Sequence, residues 1–432
     1  MTAGDRPLHI VVASRAVAPQ HGFGGLERAT THHLRALARR GVRLTVFTQP
    51  PDPNQPAPES FDGRVDWRII PYGRRLPLRR NSIPDRLLHY PPFARALGRA
   101  IAARCRHERI DIVHAHGLSG LGYAERLAAA GGGRGSAGGG GTSDLPATPP
   151  LPPLVLNPHG LEEFGGRDRA KWLAYAPFRR GLRRIARAAA AVIATDHALV
   201  GPIERQLGVA TARIAMIPNG VDIAELDAFV RPDLVRDLRD RYHLADAPLT
   251  LISVARLERN KGLHNGLAAL TLLRDRLPAG WRWLIVGGGS EEAALRAAIA
   301  RQGFDANVAL VGALSDAATH SLLASADLAL VPSLYEGSSL AALEALSHRL
   351  PVVATAVGGL PDKVIPGRTG FLAASADPAA FGGAIAAALA ARATWPTLGE
   401  QGRELVAARF AWSILIDQYL ALYHTLAPRP RI

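Results

Sequence analysis

Cysteine, lysine and long apolar runs are all scarce in this 432-residue sequence, and each scarcity excludes something. Cys105 stands alone, so no intrachain disulfide can form and a thiolate metal cluster is ruled out by number. A reducing compartment, the cytoplasm, is the expectation. No apolar run approaches the roughly 18 residues that a bilayer crossing needs. The opening MTAGDRPLHIVVAS carries a short apolar stretch that fits a buried strand better than the core of a signal peptide. The dinucleotide fingerprint GxGxxG is also missing: neither HGFGG nor VGGGSEE meets it, and LTVFTQP places no acidic residue at the end of the second strand.

What is present in excess is arginine, and it is unevenly placed. Only Lys171, Lys261 and Lys363 accompany the arginines. Residues 1–217 carry 31 Lys and Arg against 16 Asp and Glu, whereas the remainder carries 20 against 21. A general bias towards arginine explains the choice of Arg over Lys but not why one half holds the whole excess. The asymmetry points to an anionic partner of the first half, namely a phospholipid surface, a phosphorylated substrate or nucleic acid. Nucleic acid is disfavoured because no recognised module or interleaved stacking platform appears.

The chain is long enough for two α/β domains of roughly 200 residues. LHIVVAS reads as a buried parallel strand, followed by the Gly-rich HGFGG and an amphipathic helix, LERATTHHLRALARRG; VRLTVFT, DIVHAH, PLVLNPH, AVIAT and IAMIP continue a βα alternation. A second alternation follows IPNGVD, with strands LTLISVA, RWLIVGG, VALVG, LALVPS and PVVAT. Domains are thus expected at 1–217 and 218–408, with a last helix in 409–432 returning to the first. The Gly- and Pro-rich stretch at 131–153 cannot bury a core and reads as a flexible surface insertion.

Two strand-to-helix junctions of the second half carry chemistry. In LYEGSSLAALE, Glu336 sits in a turn and Glu344 lies eight positions on, while Gly337, Ser338 and Ser339 are placed at a helix N-terminus whose backbone N–H groups favour phosphate oxygens. A carboxylate accepts hydrogen bonds from sugar hydroxyls, so the combination suits a nucleotide sugar. In VARLERNKGLHNGL, Arg256 and Lys261 follow a strand end, where cations can neutralise a diphosphate whose charge grows as it departs. Taken singly, each has an ordinary explanation as a solvated surface residue. In the first half, His159 ends the strand of LVLNPHG, and His114 and His116 in DIVHAHG form a pair with no third metal ligand at a recognisable spacing.

RLERNKG, VGGG, the EGSSLAALE segment and AVGGLPDKVIPGRTGFL together resemble the retaining family 4 glycosyltransferases of GT-B fold, over nearly the full chain. The resemblance implies two Rossmann-like, doubly wound domains facing across a cleft. It implies that Arg256 and Lys261 bind the donor diphosphate, Glu336 the transferred sugar and Glu344 the nucleotide ribose. The backbone at Ser338, Ser339 and Leu340 would complete the cradle, and Val311 would lie near the base. Gly24 and Gly25 would let backbone approach the donor phosphate or acceptor, and His159 would meet the transferred sugar. Ser338 stands where an aromatic is frequent and Ser339 where Gly or Pro is common, which bears on sugar preference.

The expected reaction is metal-independent transfer of a sugar from a UDP- or GDP-linked donor to an acceptor hydroxyl, with retention, and no further cofactor. The absence of Asp-x-Asp fits such a site. The acceptor would be a lipid-linked or cell-envelope glycan. Residues 167–187, GRDRAKWLAYAPFRRGLRRIAR from Gly166, place Arg179, Arg180, Arg183, Arg184 and Arg187 on about one helix face after Trp172, Tyr175 and Phe178, an arrangement suited to the inner face of an anionic membrane. A sugar-nucleotide epimerase on the same fold is the nearest alternative. A non-catalytic sugar-nucleotide binder is the other, and the intact set Arg256, Lys261, Glu336 and Glu344 argues against it.

Overall fold

Short aliphatic runs bounded by turn residues form the strands. A computed structural model describes residues 6–22, 24–59, 61–73, 83–132, 150–161, 164 and 169–427. Most of the 131–153 insertion, Phe23 of HGFGG and residues 167–168 of the basic segment lie outside the described residues.

The first unit holds β1 His9–Ala13, β2 Arg43–Thr48, β3 Val65–Ile69, β4 Ile112–His116, β5 Leu154–Asn157, β6 Ala191–Ala194 and β7 Ile214–Met216. All pair in parallel, in the order β3-β2-β1-β4-β5-β6-β7. The second unit holds β8 Thr250–Val254, β9 Arg282–Val286, β10 Val308–Gly312, β11 Leu328–Val331, β12 Val352–Thr355 and β13 Gly370–Ala373. These are likewise parallel, in the order β10-β9-β8-β11-β12-β13. Sheets of this kind are covered by helices on both faces, so their strands read as nearly continuous hydrophobic runs. In β8 and β9 neighbouring residues serve opposite sides of the sheet: Leu251 and Trp283 join one core with Phe381, while Ile252 and Leu284 join another with Leu343. Full burial of such a side chain stabilises by about 1.5–3 kcal/mol.

The helices follow the same logic. Gly25–Arg39 buries Ala29, Leu34 and Leu37 and turns its charged residues outward. In both sheets the strand order reverses once, between β1 and β4 and between β8 and β11. At such a reversal the two flanking loops run to opposite sides, leaving a crevice at the carboxyl ends of the strands where ligands of open α/β sheets bind.

Residues up to Ile217 and from Ile416 form one unit, and Pro218–Leu415 the other. The second division thus falls within the Trp412–Leu426 helix rather than at residue 409. The reason is a bridge between Val221 and Ala411, with Val221 N–H donating to the Phe410 carbonyl (2.9 Å) and Trp412 N–H donating to the Val221 carbonyl (3.1 Å). Further along that helix, Tyr419 and Tyr423 are buried in the first unit. Among the described residues no helix is long and apolar enough to cross a membrane.

Candidate active site

The loops that leave β8 and β11 meet at the strand-order reversal of the second unit. Gly262, at φ +64°, makes the approach possible, because a Cβ there would overlap the carbonyl oxygen of Pro332. Leu334 N–H donates to the Asn260 carbonyl (2.8 Å) and ties the two loops together. Lys261 Nζ consequently donates to both carboxylate oxygens of Glu336, at 3.0 and 2.8 Å, and Ser333 Oγ donates to the second of them at 3.1 Å. Both partners are largely shielded, at 18% and 11% side-chain exposure, so their attraction is screened less than that of a surface pair.

Arg256 is placed differently. Its guanidinium donates to Glu258 (2.5 Å) and is 60% exposed, so it does not join the Lys261–Glu336 pair. An exposed ion pair is worth about 0–1 kcal/mol, and a diphosphate can displace Glu258 from it.

After Glu336 the chain enters the Leu340–Ser347 helix, capped by Ser339, whose Oγ accepts from Ala342 N–H (3.4 Å). Only Ser339 is therefore at the helix cap; Gly337 and Ser338 belong to the preceding loop. Glu344 is one turn into the helix and half-buried, while Glu336 lies in the loop before it. Leu340 opens the first turn, where backbone N–H groups lack intrahelical partners. The Ser338 hydroxyl is buried with no hydrogen-bond partner among the described residues, a polar atom of the kind a ligand satisfies. The loop after β12 supports the arrangement: Gly359 N–H donates to the Gly337 carbonyl (3.0 Å), and Gly358, at φ +53°, packs against the Glu336 carbonyl. Val311 is half-buried on β10, the outer neighbour of β9.

In the first unit, Gly24 caps the Gly25–Arg39 helix, and a Cβ on Gly25 would meet open space. Neither glycine is thus demanded by backbone packing within its unit. His159 follows β5 with a left-handed backbone (φ +59°), its N–H donating to Asn157 Oδ1 (3.0 Å). Non-glycine residues in this conformation are uncommon and recur at functional positions. Its ring stacks on His116, with Nε2 2.5 Å from His116 Nδ1. His114 Nδ1 lies 2.6 Å from the Tyr423 hydroxyl, which lies 3.1 Å from His33 Nε2. Burial pushes the His33 pKa down to about 3 and holds those of His114, His116 and His159 below the usual imidazole range, so these rings are neutral at pH 7.

The basic segment differs from its expected single face. Arg179 is buried, donating to the Trp172 carbonyl (2.5 Å) and stacking over the Trp172 ring at 4.0 Å. Arg180, Arg183, Arg184 and Arg187 are exposed on the Ala176–Ala188 helix. Sequence reasoning missed the supporting roles of Ser333 and Asn260, and took Gly358 only as part of the segment AVGGLPDK without its contact to the Glu336 loop.

The family described as glycosyl transferases group 1 matches residues 235–405, and that described as glycosyltransferase family 4 matches residues 23–225. The D-inositol 3-phosphate glycosyltransferase of Pseudarthrobacter chlorophenolicus is 28% identical over 415 residues, covering 94% of this chain and 91% of that protein. The glycogen synthase of Mycobacterium tuberculosis is 31% identical over 235 residues, 53% of this chain and 54% of that one. Among solved structures, the sucrose-phosphate synthase of Thermosynechococcus elongatus superposes with a TM-score of 0.75 at 23% identity, covering 98% of this chain and 99% of that chain. Anabaena HepE in complex with UDP gives 0.69 at 19% identity, covering 98% and 100%. Two family matches that between them take in most of both units, on two parallel sheets of this order, make the chain a family 4 glycosyltransferase of GT-B fold.

Proposed function

We propose that the protein transfers a sugar from a nucleoside diphosphate sugar, UDP- or GDP-linked, to an acceptor hydroxyl with retention of anomeric configuration and without a divalent ion at the diphosphate. The observation that carries this reading is the Lys261–Glu336 pair at the β8–β11 reversal, a cation and a carboxylate held together beside the Ser339-capped helix end. A donor entering there divides the pair. Its diphosphate takes Lys261 and Arg256, and Glu336 accepts hydrogen bonds from the sugar hydroxyls.

As the bond from sugar to phosphate breaks, negative charge grows on the departing diphosphate. Fixed cations and backbone N–H groups from Ser338 to Leu340 then gain more interaction in the transition state than in the ground state, which lowers the barrier. Glu344 is assigned to the ribose hydroxyls and Val311 to the base. His159, neutral and held by His116, is assigned to a sugar hydroxyl as donor or acceptor, with Gly24 and Gly25 on the acceptor side. The departing phosphate oxygen accepts the acceptor's proton, so no carboxylate nucleophile is required. UDP bound by HepE, a protein of the same fold, supports this class of donor.

The deciding experiment is thermal shift with UDP-, GDP- and ADP-sugars in EDTA, followed by product analysis. A donor at 100 times its Kd stabilises by about 2.7 kcal/mol. At least one donor is expected to raise Tm and to yield transferred sugar with an added acceptor. No shift with any donor, or free isomerised donor sugar without acceptor, rejects the proposal.

The acceptor is proposed to be a glycan or lipid-linked glycan approached at an anionic membrane. Arg180, Arg183, Arg184 and Arg187 with the exposed Trp172 and Leu173 support this contact. Flotation with phosphatidylglycerol vesicles is expected to be lost at high salt. Failure to float at low salt removes the membrane from the reading.

A further inference from the structure

We propose that His33, His114 and His116 form a binding site for one divalent transition-metal ion of the Zn2+ class. The three ligating nitrogens lie within 4.8 Å of one another, and all three residues are buried. They come from two elements that the fold brings together at the β1–β4 reversal: His33 from the Gly25–Arg39 helix, and His114 and His116 from β4. The pair in DIVHAHG thereby acquires a third ligand 81 positions upstream of His114, at a separation that no sequence spacing encodes.

The orientation of the rings favours an ion over a packed aromatic cluster. His114 and His116 each engage one ring nitrogen, Nδ1, with Tyr423 and His159 respectively. Their Nε2 atoms are buried with no hydrogen-bond partner among the described residues. His33 turns its Nε2 to the same Tyr423 hydroxyl. An outer partner on one nitrogen with the other directed inward is the usual setting of metal-bound histidine. Imidazole sets suit Zn2+, Ni2+, Co2+ and Cu2+. Tetrahedral coordination at about 2.0–2.1 Å places nitrogens roughly 3.3 Å apart, so side-chain rotations that close the widest pair by at most about 1.5 Å complete the site. Neutral rings are the metal-binding form, and burial keeps these neutral. A water or hydroxide completes the shell, since three protein ligands leave the fourth tetrahedral position open.

Bound there, the ion joins the first helix to β4 and fixes His116, against which His159 rests. None of the three ligands belongs to the donor-binding set around Lys261, so the inference stands independently of the sugar-transfer reading.

The test is titration of tag-free, full-length protein with Co2+. One equivalent per chain is expected, with visible absorption bands of a four-coordinate nitrogen site that Zn2+ abolishes. His33→Gln and His116→Gln should each weaken uptake more than about tenfold, the lower end of what loss of an outer-shell partner costs. Tyr423→Phe, which keeps the ring, should weaken it about 10–100-fold; it decides the matter if the histidine variants fail to fold. His320→Gln, in the part-buried His320–His348 pair of the second unit, should change nothing. Absence of a one-equivalent band, undiminished uptake in the folded variants at His33, His116 and Tyr423, or loss of uptake in His320→Gln overturns the proposal.

Discussion

Lys261→Ala is expected to lower turnover of the nucleotide-sugar donor by about 10²–10³-fold, the scale on which loss of one fixed electrostatic donor acts. Lys261 is the shielded cation of the donor-side crevice, held by both oxygens of Glu336, and a shielded charge acts on a departing phosphate through a lower effective dielectric than an exposed one. Arg256→Ala should cost less, because Arg256 is 60% exposed and already shared with Glu258. Lys261→Arg is not a conservative control: the guanidinium is a planar fork and the ammonium a compact point charge, so the bond to Glu336 is not reproduced. Glu336→Gln provides the useful comparison. It retains shape and the Ser333 contact while removing the charge that holds Lys261. Steady-state turnover with circular dichroism of each variant decides the matter. Lys261→Ala with more than half of normal turnover sinks the assignment of this crevice to the donor diphosphate.

The two doubly wound sheets were legible because parallel strands buried on both faces announce themselves as aliphatic runs, as in LTLISVA and RWLIVGG. The strands that escaped notice lack that signal. β3, VDWRI, is an outer strand with exposed Arg68 and Ile69, and β13 is a four-residue edge strand, GFLA, following a charged turn. Edge strands need cover only one face, so their hydrophobic pattern is short or interrupted.

The candidate site was legible by residue but not by partnership. Sequence neighbours suggested Arg256 with Lys261 and Glu336 with Glu344, whereas the structure pairs Lys261 with Glu336 across 75 positions and Arg256 with Glu258. That pairing depends on β8 and β11 being adjacent, a property of strand order that no local pattern contains. Arg179 shows the converse limit. Helical spacing groups it with four exposed arginines, yet the preceding turn folds Trp172 back over it and buries the guanidinium.

Gly358→Ala should weaken donor binding without replacing any residue assigned to the donor. Gly358 has a left-handed backbone, φ +53°, which for an L side chain costs about 1–2 kcal/mol. A Cβ there would in addition overlap the backbone carbonyl of Glu336. Backbone cannot rotate away as a flexible side chain does, so the loop carrying Glu336 and Gly337 must shift, and with it the Gly359 N–H bond to the Gly337 carbonyl. The shift separates Glu336 from Lys261 and disturbs the approach to the Ser339-capped helix. Since misplacement of about 1 Å in a binding constellation costs on the order of 10²-fold, turnover and donor affinity should both fall at least that far, and a donor at 100 times the parent's Kd should then stabilise by about 0.4 kcal/mol in place of about 2.7. Destabilisation of the free protein should be of similar size, about 2–3 kcal/mol, and no larger, because the β11 and β12 cores behind the loop remain packed. Gly25→Ala is the matched comparison: its Cβ meets open space within its own unit and should leave Tm near that of the parent. A Gly358→Ala protein that binds donor with unchanged affinity would show that the Glu336 loop tolerates displacement, and its carboxylate could not then be the fixed partner of the transferred sugar.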